Sequence, residues 1–329
     1  MSSRSLLCPL ATGLGWLGLV VGAATTLARS LPRVPGLAPD TWAMATAFTD
    51  FGALAYAVAV VGLGTAALWR HRPLPLLAVL VALALTVLHL SWIAPGYVAD
   101  DDSPAGSGRV RVLTQNLLFG GADAAEVVRN GQRADVVVLT EVTRAAARGL
   151  ARAGIAANQP YESGGKLPQY GAMGTRVYSR FPIRSFRPLD PAARWPESWL
   201  VDVEVPDIGT VTVAAVHPPR PVPGASGWAG GQELVHALVP RQRTIVAGDF
   251  NAVDSHPSLR RFRADGFRDC RDIVGAGWQP TYPAQGRVPP LIAIDHILVS
   301  PDLTATASAT VQVTGSDHRG VTATVALRG

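Results

Sequence analysis

The chain has 329 residues, 48% of them hydrophobic and only 16% charged, with a mean hydropathy of +0.22 and a formal net charge of +5. Soluble domains carry about 25% charged residues, so a wholly water-exposed chain is a poor fit, and the length allows one large domain plus an apolar part. Two cysteines, Cys8 and Cys270, lie far apart in unlike surroundings, which argues against a disulfide framework, and zinc is disfavoured because no cysteine cluster or closely spaced histidine pair exists.

Charge is scarce at the start of the chain. Residues 5–28, 51–69 and 73–94 contain no charged side chain, and each run is about 20 residues, the length a helix needs to cross ~30 Å of hydrocarbon. They predict three transmembrane helices within a membrane anchor spanning 1–94. Gly18 and Gly22 have the spacing that lets helices approach closely, although general glycine enrichment of membrane helices explains them equally well. Trp69 and Trp92 sit at span ends, and His89 reads as a buried or interfacial side chain. The first run resembles a signal peptide, yet two further spans follow at once, so it is expected to remain. Placing Arg70, His71 and Arg72 in the cytoplasm, with Arg4, puts the loop holding Arg29, Arg33 and Asp40 outside, together with everything after the third span. The expectation is a multi-pass protein of the cell membrane with an extracytoplasmic catalytic domain. Residues 95–108, rich in Asp, Ser, Pro and Gly, predict a linker that reaches at most ~50 Å when extended.

From residue 109 the pattern changes to short β-branched runs alternating with helical stretches. Strands are predicted at 110–114, 136–139, 175–179, 199–205, 210–216, 244–247, 292–299, 305–313 and 320–327, and helices at 124–130, 144–153, 231–239 and 257–262. Many strands with a few interposed helices suggest two packed sheets flanked by helices across 109–329. The Pro- and Gly-rich segments 158–172, 218–230 and 275–290 read as loops.

Polar residues then fall at the ends of these strands. One run leads into Gln115 and Asn116, the next into Glu141, another into His217, and another into Asp249, Phe250 and Asn251. Asp295 and His296 open one strand, while Ser316, Asp317 and His318 precede the last. Strand ends hold reactive groups on a rigid scaffold at a rim that substrate can reach. Carboxylates suit Mg²⁺, a further Asp can orient water, and Asn or His can stabilise charge on phosphorus, so the residue types suit metal-assisted phosphoester cleavage.

Seven motifs, in order, make this more specific. Thr114-Gln115-Asn116, Leu139-Thr140-Glu141-Val142, Ser179-Arg180-Phe181-Pro182-Ile183, Val216-His217-Pro218, Gly248-Asp249-Phe250-Asn251-Ala252, Ile294-Asp295-His296-Ile297-Leu298 and Gly315-Ser316-Asp317-His318-Arg319-Gly320 resemble the motif set of the endonuclease/exonuclease/phosphatase superfamily across about 109–328. That resemblance implies an α/β four-layer sandwich with two central mixed β-sheets flanked by helices, here preceded by three transmembrane helices. It implies Glu141 as principal Mg²⁺ ligand (Mn²⁺ being the alternative), with Asn116 and Asp317 at or near the metal. Asp249 would align or activate water, Asn251 would donate in the transition state, and His318, oriented by Asp295, would contact the scissile phosphate. His217 falls where a phosphate contact or leaving-group acid is expected, whereas His296 is expected to pack or cap. Thr140 departs from the pattern, standing where Gln often precedes the metal-binding Glu. Arg176 is a candidate substrate contact, with simple exposure the competing reading.

The substrate is less legible. A nuclease would need a basic groove, which arginines 176, 180, 184, 187, 194, 260, 261 and 263 could form. A lipid-phosphate or lipid-pyrophosphate phosphatase would exploit a short tether beside the bilayer. Three spans before such a domain also look similar to actinobacterial teicoplanin-resistance membrane proteins, which implies a polyprenyl-pyrophosphate-like substrate. A non-catalytic membrane protein binding phosphorylated ligands is the third reading. The lipid bilayer is an expected partner, and no obligate protein partner is evident.

Overall fold

The charge-free runs are helical in the computed structural model, which describes residues 3–31, 38–70, 73–192, 198–222 and 227–329. Arg33, His71, Arg72 and Arg194 lie outside the described residues, as do the side chains of Arg4, Cys8, Trp69 and Arg70. The chain divides into two units, Met1–Pro95 and Gly96–Gly329.

The first unit contains α1 (Ser3–Ser30), a short α2 (Pro39–Thr46) within the expected first loop, α3 (Gly52–Arg70) and α4 (Pro73–Ile93). Among the described residues, three helical segments, Pro9–Ser30, Thr49–Leu68 and Pro75–Tyr97, are long and apolar enough to cross a membrane. A Cβ on Gly18 would stand 2.5 Å from the Ala55 carbonyl oxygen, and one on Gly22 would lie 2.7 Å from the Tyr56 ring. Absence of a side chain at both positions is what lets α1 lie against α3. His89 is buried and its Nε2 is 2.9 Å from the Thr26 hydroxyl.

In the second unit the strands are β1 (Val110–Asn116), β2 (Val136–Thr140), β3 (Tyr161–Ser163), β4 (Arg176–Ser179), β5 (Ile183–Pro188), β6 (Trp199–Val205), β7 (Gly209–Val216), β8 (Thr244–Asp249), β9 (Arg268–Asp269), β10 (Asp295–Val299), β11 (Leu303–Val311) and β12 (Gly320–Leu327). They form two six-stranded mixed sheets, ordered β11-β12-β1-β2-β4-β3 and β5-β6-β7-β8-β10-β9. Each sheet is antiparallel except for one central parallel pair, β1 with β2 and β7 with β8. Alternate residues of both sheets, among them Val112, Val136 and Val138 opposite Val201, Val213 and Ile245, form the core between them. On the outer face of the first sheet, α5 (Ala124–Gly131) and α6 (Arg144–Arg152) bury Val127, Val128 and Leu150 against Leu113, Val137 and Leu139. The second sheet carries α7 (Trp228–Leu238) and α8 (Pro257–Ala264), with Phe250, Phe262 and Phe267 stacked edge to face, while a short α9 (Cys270–Ile273) buries Cys270 and Ile273 in the core between the sheets. This is the expected four-layer sandwich.

Several elements differ from expectation. β3 lies inside a segment read as loop, and β5 and β9 were not anticipated. Residues 292–294 are not part of the strand that begins at Asp295, although Ile292 bridges Tyr282. The 95–108 segment, read as a linker, is tied down over part of its length. Asp100 N donates to the Ile273 carbonyl (2.8 Å), Gly277 N to the Gly96 carbonyl (2.7 Å) and Ala105 N to the Leu327 carbonyl (2.9 Å). Its acidic run supplies the reason: Asp100 and Asp102 pair with Arg268, and Asp102 also with Arg328 at 2.9 Å.

Candidate active site

The parallel pair of each sheet ends at the same rim, and the side chains beyond those ends converge. Asn116 closes β1 and directs Nδ2 at Glu141 Oε1 (3.2 Å) and Asp249 Oδ2 (3.0 Å), while its Oδ1 accepts from Leu118 N (2.8 Å). Glu141 follows β2 with a left-handed backbone (φ 57°), a conformation that costs a non-glycine residue free energy and turns the carboxylate across the rim. Its Oε2 accepts from Phe119 N at 2.7 Å. Asp249 ends β8, where a Cβ at the preceding Gly248 would collide with the Val216 carbonyl. Asp249 Oδ1 accepts from Asn251 N (2.8 Å), leaving Oδ2 toward His217 Nε2 (3.6 Å) and His318 Nε2 (3.9 Å). His217 Nε2 is also 3.9 Å from Glu141 Oε1. His318 donates from Nδ1 to Asp295 Oδ2 (2.8 Å), and its Nε2 lies 3.9 Å from Asp317 Oδ1.

Glu141 and Asp317, 176 positions apart along the numbering, thus belong to one cluster linked through His217, Asp249 and His318. Four carboxylates share a small volume with two imidazoles. Burial alone would favour neutral His318, but Asp295, Asp249 and Asp317 outweigh it and raise its pKa to about 10, so the ring is held as the cation. Burial raises the Asp295 carboxyl, with His318 opposing the rise. Asp295 Oδ1, Asp317 Oδ1 and His217 Nδ1 are buried without a hydrogen-bond partner. Excess negative charge with unpartnered carboxylate oxygens is the donor set a hard divalent cation needs, so the residues fit a metal of that kind. Holding it through Asn116 would require the amide to turn over, since its oxygen now faces Leu118 N.

Arg176 does not join this group. Its guanidinium is 2.8 Å from Glu162 and donates to the Gly165 carbonyl, and the side chain is 13% exposed, so it is neither at the site nor simply solvated. Asn251 is at the site, with Nδ2 donating to the Pro218 carbonyl at 3.1 Å. Sequence reasoning passed over Gln115 and Ser316 as supports, although both lie inside the quoted motifs. Ser316 Oγ donates to the Asn116 carbonyl (2.6 Å) and accepts from His318 N (3.1 Å), while Gln115 Nε2 donates to the His318 carbonyl (3.1 Å). Tyr282, whose ring centroid is 5.0 Å from that of His318, and Thr281, which accepts from Asp295 N, come from the 275–290 loop and carried no sequence signal.

Comparisons with known proteins agree with this fold. The model of the Endonuclease/Exonuclease/phosphatase family matches residues 113–318. No curated protein matches the sequence. Among solved structures, the endonuclease/exonuclease/phosphatase from Beutenbergia cavernae is similar with a TM-score of 0.53 and 23% identity, over 68% of this chain and 72% of that one. The endonuclease/exonuclease/phosphatase from Bacteroides vulgatus has a TM-score of 0.53 and 15% identity over 67% and 100% of the two chains. An AP endonuclease from Archaeoglobus fulgidus has a TM-score of 0.51 and 12% identity over 65% and 98%. At such identities the likeness is one of fold.

Proposed function

The chain belongs to the endonuclease/exonuclease/phosphatase family, whose members are metal-dependent hydrolases of phosphoester bonds, and from that premise we propose a membrane-anchored phosphoesterase whose extracytoplasmic catalytic unit cleaves a lipid-linked phosphate or pyrophosphate. The observation that carries the hydrolytic part is the cluster joining Glu141, His217, Asp249, Asp295, Asp317 and His318 in steps of 3.9 Å or less.

Glu141 and Asp317 would hold a divalent cation, Mg²⁺ by donor type with Mn²⁺ the alternative, which supplies Lewis-acid polarisation and neutralises phosphate charge. Asp249, its Oδ1 fixed by Asn251 N, offers Oδ2 to orient a water and accept its proton. His318, cationic and aimed by Asp295, can donate from Nε2 to a phosphoryl oxygen as charge builds there. Asn251 has a second amide hydrogen for the same oxygens. His217 Nε2, between Glu141 and Asp249, would donate to the phosphate or the leaving oxygen.

Two observations support a lipid over a nucleic acid. Three apolar helices precede the catalytic unit, and few residues separate Ile93 from Asp100, which is already bonded into that unit; a short tether raises the effective concentration of bilayer-borne substrate. In addition, the arginines expected to form a basic groove are largely neutralised: Arg176, Arg180, Arg184, Arg187, Arg261 and Arg263 each face an acidic partner. The architecture-level resemblance to teicoplanin-resistance membrane proteins points the same way.

The test is a side-by-side assay of the full-length protein in detergent on polyprenyl pyrophosphate and on plasmid DNA, each with Mg²⁺ and with EDTA. Phosphate release from the lipid, abolished by EDTA, is the expected result. Plasmid nicking without lipid cleavage would sink the substrate assignment, and inertness toward both and toward bis(p-nitrophenyl) phosphate would favour the non-catalytic reading.

A further inference from the structure

The turn that carries Asp249 and Asn251 cannot satisfy its own backbone. Asn251 adopts a left-handed conformation (φ 49°), and Phe250 and Ala252 on either side of it are fully buried. Three successive carbonyls in this turn are left without partners in any regular element, and buried carbonyls must find them. Each is met by a different buried side chain. Gln232 Nε2 donates to the Phe250 carbonyl, Trp228 Nε1 to the Asn251 carbonyl (2.8 Å), and His296 Nε2 to the Ala252 carbonyl (2.9 Å). The first two lie one turn apart on α7, and the third lies on β10, paired with Gly248 of β8.

His296 can serve only as a donor at Nε2, because a carbonyl only accepts. Its Nδ1 faces Asp269 Oδ2 at 2.7 Å. With both nitrogens engaged the ring has no lone pair for a metal, although Asp254, Asp269 and His296 lie close enough together to suggest a second cation site. Arg271 and Arg263 already face Asp254. The same helix reaches the other side of the centre: a Cβ on Gly231 would lie 2.5 Å from Pro219 Cδ, and the neighbouring Pro218 carbonyl accepts from Asn251 Nδ2.

We infer that Trp228, Gln232 and His296 are positioning residues that hold the Asp249–Asn251 turn at three consecutive carbonyls and thereby aim the water-orienting carboxylate and the transition-state amide. This rests on the roles proposed above for Asp249 and Asn251. It goes beyond packing, because the clamp grips the one backbone segment whose small displacement would move both groups. Displacement by about 1 Å is enough to cost roughly a hundredfold in rate.

The experiment uses full-length protein in detergent, bis(p-nitrophenyl) phosphate with Mg²⁺, and the variants Trp228→Phe, which removes the donor together with one ring of the indole, and Gln232→Met, which removes the donor while keeping bulk. Gln159→Met is the matched control: Gln159 is equally buried and donates to the Gly131 and Ala134 carbonyls, away from this turn. The two clamp variants should lose about ten- to a hundredfold in kcat with KM changed by less than about twofold. They should also speed amide exchange at Phe250 and Asn251. His296→Gln, which keeps a donor, should retain more activity than His296→Leu. Gln159→Met should lower the melting temperature comparably yet leave kcat and that exchange unchanged. Clamp variants that match Gln159→Met, losing stability but not kcat, would overturn the inference. Should the wild type cleave no phosphoester at all, the reading of the site as hydrolytic fails, and unaltered exchange in the clamp variants would separately overturn the positioning role.

Discussion

Glu141 and Asp249 illustrate how much one side chain is asked to do at this rim. Glu141 accepts from Asn116 and Phe119 while keeping a strained backbone, and Asp249 is held by Asn251 N. Glu141→Gln and Asp249→Ala should each lower kcat by orders of magnitude with little change in melting temperature, measured by Mg²⁺-dependent ester hydrolysis and by thermal unfolding of the same samples. Near-wild-type turnover in either would remove the mechanism. His318 gives a second residue-scale prediction. Its pKa is raised from 6.5 to about 10, so the stabilisation it supplies is complete below the unfolded value of 6.5 and is lost as pH climbs through about 10. In metal-free protein, a histidine NMR titration should find His318 still protonated at pH 8, and Asp295→Asn should bring the transition down toward the ordinary range. A wild-type midpoint near 6.5 would contradict the cationic assignment.

Among the elements, those with strong periodicity or β-branching were readable and the marginal ones were not. β5 has no alternation because it is an edge strand whose Arg184, Ser185 and Arg187 face Glu204 and Asp202 on β6. Such cross-strand charge pairing leaves no apolar signature. β3 and β9 are two or three residues long, too short for any period to register. The hold on the 95–108 linker is illegible in the sequence for a related reason: the segment has no repeat of its own and is held by aspartates whose arginine partners lie far along the chain. This hold is testable. Burial works to raise the Asp102 carboxyl, but Arg268 and Arg328 outweigh it and depress its pKa, so its contribution is present above the ordinary value of 3.8 and disappears as pH falls below it. Asp102→Asn should therefore destabilise the catalytic unit by about 1–2 kcal/mol at pH 7, between the values for exposed and buried pairs. The difference from wild type should shrink toward pH 3 in tryptophan-monitored unfolding. Equal stability at both pH values would mean that the segment is not held by these pairs.

For the whole molecule, orientation is the property with the widest consequence, since the proposed lipid-linked substrate outside the cytoplasm would demand a catalytic unit on that side. A phosphatase or fluorescent reporter fused after Gly329 should be active only where extracytoplasmic reporters are, and a cytoplasmic result would force a different substrate pool. The sequence by itself determined that long charge-free runs precede a mixed α/β domain, because hydrophobic length and strand alternation are local properties of the chain. Ordered motifs at strand ends, through their resemblance to a known family, also pointed to polar residues that the fold brings together, Arg176 excepted. Tertiary structure alone decided that Arg176 is engaged by Glu162 and Gly165, that 96–105 is bound rather than free, and that Trp228, Gln232 and His296 grip one turn. Each of these depends on a partner that is not a near neighbour in the chain, 14 positions away for Arg176 and Glu162 and 168 for Asp100 and Arg268, or on a backbone carbonyl, and a carbonyl has no identity in the sequence: every residue has one, and only folding shows which are left for side chains to satisfy.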